Sequence, residues 1–328
     1  MERAITQFLE HLQADKGFSP NTIVAYRNDL MQMLSFVRGQ VNGAGWPPPG
    51  LWNVVDASLI RQYYTSLQAR HYAATTVARK IASVKSFFHF LVSEKLVSAN
   101  PTHGFTSPGI RRALPKTVTA GEVGELLEQS ALRDTPEARR DWAMLTLLYA
   151  TGMRVTELVK LNVDDVALDA AYPYVRCMGR GARPRLIPLA AEAIEPMQQY
   201  LTQARDRIVR RSGEGALFLN RRGERLTRQG FWLILKGYVK AANLRAEITP
   251  HMLRHTFATH MLRSGRLNLR ELQDRLGHAS ITTTQVYTQV ADSGPVPEAP
   301  AIPGAGPVLQ PGAVPAAAGR NAAQPATI

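Results

Sequence analysis

The sequence predicts a mainly α-helical protein of two domains that carries one small β hairpin. Three observations lead there. Residues 1 to about 104 place their apolar side chains at helical spacing and show no strand signal. An aperiodic stretch with Pro, Gly and two arginines follows at 105–116. The helical pattern beyond it is interrupted once, by two short β-prone runs around a glycine turn.

A first helix is expected from about Glu2 to Ala14, where Ile5, Phe8, Leu9 and Leu12 share a face. Ser19, with Pro20 in the favoured first helical position, opens a second that carries Ile23, Tyr26, Leu30, Met33, Leu34 and Val37. VNGAGWPPPG, residues 41–50, breaks the pattern with three glycines and three consecutive prolines. Asp56 is the expected cap of a third helix. Thr75 is the expected cap of a fourth, running to about Val97 before Asn100-Pro101 stops it.

The expected division is therefore a helical domain at 1–104, a linker at 105–116, a larger domain at 117–291 and a tail at 292–328. Thr119 and Glu122 spell a capping box at the start of the second domain, and an apolar helix ends at Thr151-Gly152. YPYVRCM, GRGAR and PRLIPL then read as strand, turn and strand. Helices resume at Ala190, at Thr227 and at Thr249-Pro250. From Asp292 onward, 37 residues hold 8 prolines, 10 alanines and three charges, a composition with no apolar face to bury and so an expected disordered tail.

At 328 residues, 45% of them apolar, the chain has ample core for two domains. Lys and Arg number 39 against 26 Asp and Glu, a net charge of +13 that points to a polyanionic partner. A genome rich in Arg codons would produce the same excess, since 31 of the 39 are Arg. The distribution is more informative: +6 for 1–112, +8 for 113–291 and −1 for the tail, so both domains are basic, as in a protein that grips a duplex between two lobes. The single cysteine, Cys177, rules out an internal disulfide and a multi-cysteine zinc site. No 18-residue apolar run and no signal peptide are present, so a soluble cytoplasmic protein without a membrane partner is expected.

Walker A, Rossmann and H-E-x-x-H signatures are missing. What remains is a set of polar residues on amphipathic helices. His251 and Arg254 stand at i and i+3 in ITPHMLRHTFATHML, near a helix N-terminus, a combination that suits a phosphodiester oxyanion and equally a solvated polar face. His251 and His255 have the i, i+4 spacing of zinc ligands, but no cysteine or carboxylate completes a ligand pattern. In ATGMRVTELVKL, Glu157 is placed to orient Arg154, or to make an ordinary surface ion pair. RLGHASITTTQVYTQV sets His278 nine residues before Tyr287, a tyrosine that in isolation reads as a core residue with a wet hydroxyl.

Taken in order, Arg154, a β hairpin, His251-x-x-Arg254, Gly277-His278 and Tyr287 form one pattern, and with it the sequence resembles the tyrosine recombinase (phage integrase) family. SPNTIVAYRNDL, TGMRVTEL, LRHTFATH and LGHASITTTQVYT make it most like the Xer-type members, over residues 1 to about 291. The resemblance implies an N-terminal four-helix core-binding (SAM-like) domain and a C-terminal mixed α/β catalytic domain closing as a clamp on double-stranded DNA. It also implies a tetramer on two duplexes, with this chain alone or with a paralogue, and resolution of chromosome or replicon dimers. Tyr287 would attack a phosphodiester to give a 3′-phosphotyrosyl link, with Arg154 and Arg254 on the non-bridging oxygens, His251 and His278 completing the hydrogen bonding, and Glu157 in support. Because the bond energy is conserved in the covalent link, neither ATP nor a metal is needed.

Two departures from the family stand out. Its hairpin lysine, the general acid for the leaving 5′ oxygen, aligns with Arg180 in GRGARPR, and a guanidinium is a poor proton donor at neutral pH. Past Tyr287 the chain turns to Pro and Gly within a few residues, where relatives continue into a helix that docks on a neighbouring subunit. Three other readings remain at this level: an integrase of a mobile element, a DNA-binding clamp that has lost cleavage, and a metal-dependent nuclease using Asp164 and Asp165. The last is disfavoured because adjacent carboxylates on a strand point apart, and a turn or cap is the better use for them.

Overall fold

The apolar spacing places α1 (Glu2–Ala14) and α2 (Pro20–Gln40) where the sequence puts them, with the Ser19 hydroxyl accepting the Thr22 N–H at 3.2 Å. This computed structural model describes residues 2–15, 17–40, 51–105, 117–179, 184–210, 213–244, 248–278 and 280–291. The insert at 41–50, most of the linker, Arg180 and the tail from 292 lie outside the described residues. The chain divides into two compact units, the first ending at Ala113 and the second starting at Leu114.

In the first unit, α3 (Ala57–Ala69) is capped by Asp56, whose carboxylate accepts the Leu59 N–H at 2.8 Å. The fourth helix, α4 (Ala74–Ser93), corrects the expected bounds at both ends. Ala73 rather than Thr75 is its cap residue and gives no side-chain bond; its carbonyl takes the Thr76 and Val77 N–H groups, so winding begins early enough to bury Val77. At the other end Lys95 adopts a left-handed φ of 57°, and the Leu96 N–H returns to the Leu91 carbonyl at 2.8 Å, closing the helix before Val97. The core is aromatic: Phe87 meets the Phe8 ring at 5.4 Å and that of Trp52 at 4.9 Å, both edge-on. Trp52 arrives on a 3₁₀ turn, Leu51–Val54, that no periodicity announces. Buried Asp29 ties α2 to α4 through Arg79 and, at 2.9 Å, Lys80.

In the second unit, α5 (Ala120–Ala131) opens with the Thr119–Glu122 capping box. Next comes α6 (Pro136–Thr151), the central helix, with Trp142 to Tyr149 all buried. It stops at Gly152, whose φ of 61° lets its N–H reach the Leu148 carbonyl at 2.9 Å. A Cβ there would lie 2.2 Å from Phe257 Cδ1. Gly152→Ala therefore combines left-handed strain of about 1 kcal/mol with overpacking of about 1–3 kcal/mol. Thermal melting is expected to show a Tm lowered by roughly 4–16 °C, at about 2–4 °C per kcal/mol.

After α7 (Val155–Leu158) and a 3₁₀ turn, Val163–Asp165, three antiparallel strands form a sheet in the order β1 (Val166–Ala167), β2 (Tyr174–Met178), β3 (Pro184–Pro188). The hairpin of β2 and β3 follows the sequence reading; β1 is too short to leave a pattern. Cys177 pairs with Arg185 and Val175 with Ile187, and Val175, Cys177 and Ile187 face the core. Burial pushes the Cys177 thiol up to about 12, which makes it inert at neutral pH. The rest is helical: α8 (Ala191–Gln199) continuing through a π turn, α9 (Arg205–Ile208), α10 (Arg228–Ala241), α11 (Pro250–Arg263), α12 (Leu269–Leu276) and α13 (Thr282–Ala291). Thr227 and Thr249 cap α10 and α11 as expected, and α11 packs on both α6 and α13. Among the described residues no helix is long and apolar enough to cross a membrane.

Candidate active site

Two helix C-termini frame the site. The ends of α6 and α12 are each closed by a left-handed glycine, Gly152 and Gly277 (φ 64°). Their last carbonyls have no helical partner and carry the negative end of the helix dipole, so they attract cations. Arg254, in the second turn of α11 and 5% exposed, answers both: Nη1 donates to the Gly152 carbonyl and Nη2 to that of Leu276, each at 2.7 Å. Burial, then the nearby Arg154 charge, brings its pKa down to about 10, so it remains a cation at neutral pH.

Arg154 caps α7 from the other side. Its Nη1 donates to the Leu276 carbonyl and its Nη2 to that of Gly277, both at a long 3.4 Å, and its side chain is 42% exposed. The two guanidiniums thus converge on one carbonyl oxygen. Glu157 accepts the Arg154 N–H at 2.7 Å and Arg154 Nη1 at 3.2 Å, the orienting role that its i+3 spacing suggests. Burial works to raise its pKa; Arg185, the Arg154 N–H and both guanidinium charges overcome this and hold it below the usual carboxylate value.

His278 follows Gly277 directly. Its Nε2 accepts from Arg254 Nη2 at 3.1 Å, which makes Nδ1 the protonated nitrogen and the donor to Thr284 Oγ1 at 3.0 Å. Burial, then Arg254 and Arg154, lowers its pKa to about 4, so the ring is neutral at pH 7. His251, at the exposed start of α11, is lowered by the same causes. Its ring meets His255 edge-on at 4.2 Å, and His255 in turn lies 5.3 Å from the ring of Tyr287. Tyr287, on α13 and 3% exposed, stacks on His278 with the ring centroids 6.3 Å apart. Burial raises the pKa of its hydroxyl, and Arg254 and Arg154 pull it back.

Arg154, Glu157, His251, Arg254, His278 and Tyr287 therefore come together from four segments of one unit, whereas Arg180 lies outside the described residues. Sequence reasoning missed Arg185, which binds Glu157 through Nη1 at 2.8 Å and Nη2 at 3.0 Å. The signal was available: 185 has the same parity as inward-facing Ile187, and an arginine on that face requires a buried carboxylate. It also missed Thr284, the partner of His278, and weighed His255 only as a metal ligand. Asp165 accepts the Asn162 N–H at 2.9 Å and Arg176 Nε at 3.0 Å, the turn use expected for that acidic pair. Among the described residues no group of three or more His, Cys, Asp or Glu is placed to hold a metal ion.

With Arg154, Arg185 and Arg254 charged, Glu157 ionised and the imidazoles of His255 and His278 neutral, the cluster carries a net charge of +2 around a buried tyrosine. A net positive cluster of this kind, rich in N–H donors, suits an anion with several oxygens.

The "Phage integrase family" model matches residues 116–293, and the "Phage integrase, N-terminal SAM-like domain" model matches residues 5–95. Tyrosine recombinase XerC of Herpetosiphon aurantiacus is 46% identical over 292 residues, covering 89% of this chain and 92% of that protein. Tyrosine recombinase XerD of Oceanobacillus iheyensis is 40% identical over 291 residues, covering 88% and 94%. In fold the chain is similar to the XerH site-specific recombinase solved in a post-cleavage complex with its palindromic difH substrate, with a TM-score of 0.65 and 21% identity, over 88% of this chain and 92% of that one. The matches span both units, and the chain belongs to the phage integrase family of tyrosine recombinases, enzymes that cleave and rejoin DNA.

Proposed function

We propose that this chain is a site-specific recombinase of double-stranded DNA that resolves replicon dimers through a phosphotyrosyl intermediate at Tyr287. The observation that carries the reading is the convergence of Arg154 and Arg254 on the Leu276 carbonyl beside that buried tyrosine. Tyr287 Oη forms a bond to phosphorus as the P–O5′ bond breaks. The tyrosine proton passes to a base, with His251 the candidate, and the leaving oxygen gains a proton or a strong hydrogen bond from the residue at position 180. Arg154, Arg254 and His278 stabilise the charge on the non-bridging oxygens. The freed 5′ hydroxyl of one strand then attacks the phosphotyrosine of the other, so bonds broken and formed balance without ATP.

In this reading residues 1–104 grip the duplex, 117–291 perform the chemistry, and four subunits act together in the cytoplasm. Relatives named XerC and XerD both align along most of the chain, which favours dimer resolution over integration of a mobile element. Two tests address it. Nicked DNA carrying a site from the protein's own genome, incubated in EDTA, is expected to give a covalent protein–DNA band on a denaturing gel. A plasmid dimer bearing two such sites is expected to yield monomers, with this protein alone or with an added paralogue. A metal-dependent nuclease would be silent in EDTA, and a binding-only clamp would shift the DNA without a covalent band.

Arg180→Lys restores an ammonium, whose ordinary pKa of about 10.4 makes it a better proton donor than a guanidinium. General acid catalysis is worth about 10²–10⁴-fold. Single-turnover cleavage is expected to quicken by at least about tenfold, less than that full range because Arg180 already supplies charge and a hydrogen bond. An unchanged rate would mean that Arg180 serves through charge and hydrogen bonding alone.

A further inference from the structure

Arg185 has no part in the proposed chemistry, yet it is among the most heavily engaged residues of this cluster. It lies on β3, one pair in from the Met178–Pro184 end of the ladder, and its side chain is 15% exposed. Both terminal nitrogens bind Glu157, at 2.8 and 3.0 Å, and Nε donates to the Arg275 carbonyl at 3.1 Å. A fork of this kind is the strongest pairing open to a carboxylate. Gly277 accommodates it, since a Cβ there would come within 3.0 Å of Arg185 Nη1.

The consequence falls on Arg154. Glu157 is only 8% exposed, and a buried carboxylate must be matched by charge. Arg185 occupies both of its oxygens, which leaves Arg154 with a single side-chain contact at 3.2 Å. Without Arg185 the same carboxylate would turn fully onto Arg154, drawing its fork from the Leu276 and Gly277 carbonyls and cancelling its charge. We infer that Arg185 is a positioning residue for Arg154: by satisfying Glu157 it keeps the Arg154 guanidinium charged toward, and aimed at, the scissile phosphate. The inference rests on the proposed role of Arg154 in cleavage.

The test is single-turnover formation of the covalent adduct on nicked DNA by Arg185→Gln, by Arg185→Gln combined with Glu157→Gln, and by Arg185→Lys. Removing one stabilising donor in such a site costs about 10²–10³-fold, and Arg185→Gln is expected near the lower end, about 10²-fold. The double variant is the decisive one, because deleting the carboxylate releases Arg154. It is expected to recover at least tenfold of the loss. A residue that merely braces the fold would give a double variant as slow as the single one or slower, and that outcome overturns the inference, as does an Arg185→Gln rate within threefold of wild type. If Arg185→Gln does not fold, Arg185→Lys carries the test. It keeps the charge but not the fork, and is expected to cleave about tenfold more slowly at an unchanged melting temperature; a rate equal to wild type would overturn the inference. Should wild type itself form no adduct on a site that it binds, the proposed function fails first, an outcome distinct from all of these.

Discussion

Tyr287→Phe is expected to abolish the covalent protein–DNA band completely while leaving the fold and DNA affinity almost untouched. The substitution removes one oxygen and keeps the ring that stacks on His278 and abuts His255. The ring supplies nearly all of the packing at this 3% exposed position, so melting should shift little. The hydroxyl, which burial keeps protonated, adds no charge to the +2 cluster, so a gel-shift affinity within about threefold of wild type is expected. Cleavage is different in kind, because without the proposed nucleophile no adduct can form and the residual electrostatic stabilisation has nothing to stabilise. A band that survived in Tyr287→Phe would move the nucleophile elsewhere and dismantle the assignment. Loss of the band together with loss of binding would instead show the tyrosine acting as a core residue.

Much of this site was legible in the chain because its parts sit on strongly marked elements. Thr249-Pro250 starts α11 and so sets the face on which His251 and Arg254 project; Gly152 ends an apolar helix where left-handed backbone is needed. Local rules of this type act over a few residues and need no tertiary information. What escaped depends on partners distant in sequence. Arg185 meets Glu157 across 28 residues, and Thr284 matters only because α13 folds back beside Gly277-His278. The fourth helix was misjudged at both ends for a related reason. Thr75 has the right chemistry for a cap, but the need to bury Val77 starts the helix earlier, and the left-handed Lys95 ends it without a glycine to announce the stop. The two residues of β1 were beyond reach because their pairing with β2, not their composition, makes them a strand.

The second large effect separates two arginines that a motif treats alike. Arg254 holds the ends of α6 and α12 together through the Gly152 and Leu276 carbonyls and fixes the tautomer of His278. Arg254→Ala strands the Gly152 carbonyl and leaves that of Leu276 with only the long Arg154 contact, at about 1–3 kcal/mol each. A loss of about 2–4 kcal/mol follows, allowing for relaxation, or roughly 4–16 °C in Tm. In the proposed chemistry it also removes a donor pair from the transition state, where one donor alone is worth about 10²–10³-fold, so the cleavage rate should fall by at least about 10³-fold. Arg254→Lys keeps a charge, but one ammonium cannot span both helix ends and His278, and it should recover less than a tenth of the lost rate. Arg154→Ala should behave otherwise. Its side chain is 42% exposed and its carbonyl contacts are long, so melting should move by little while cleavage falls about as far. Paired melting curves and single-turnover rates for the two variants therefore test the architecture directly. Equal losses of stability would mean that the α6 and α12 ends do not depend on Arg254, and the account of how the site is held together would have to be rebuilt.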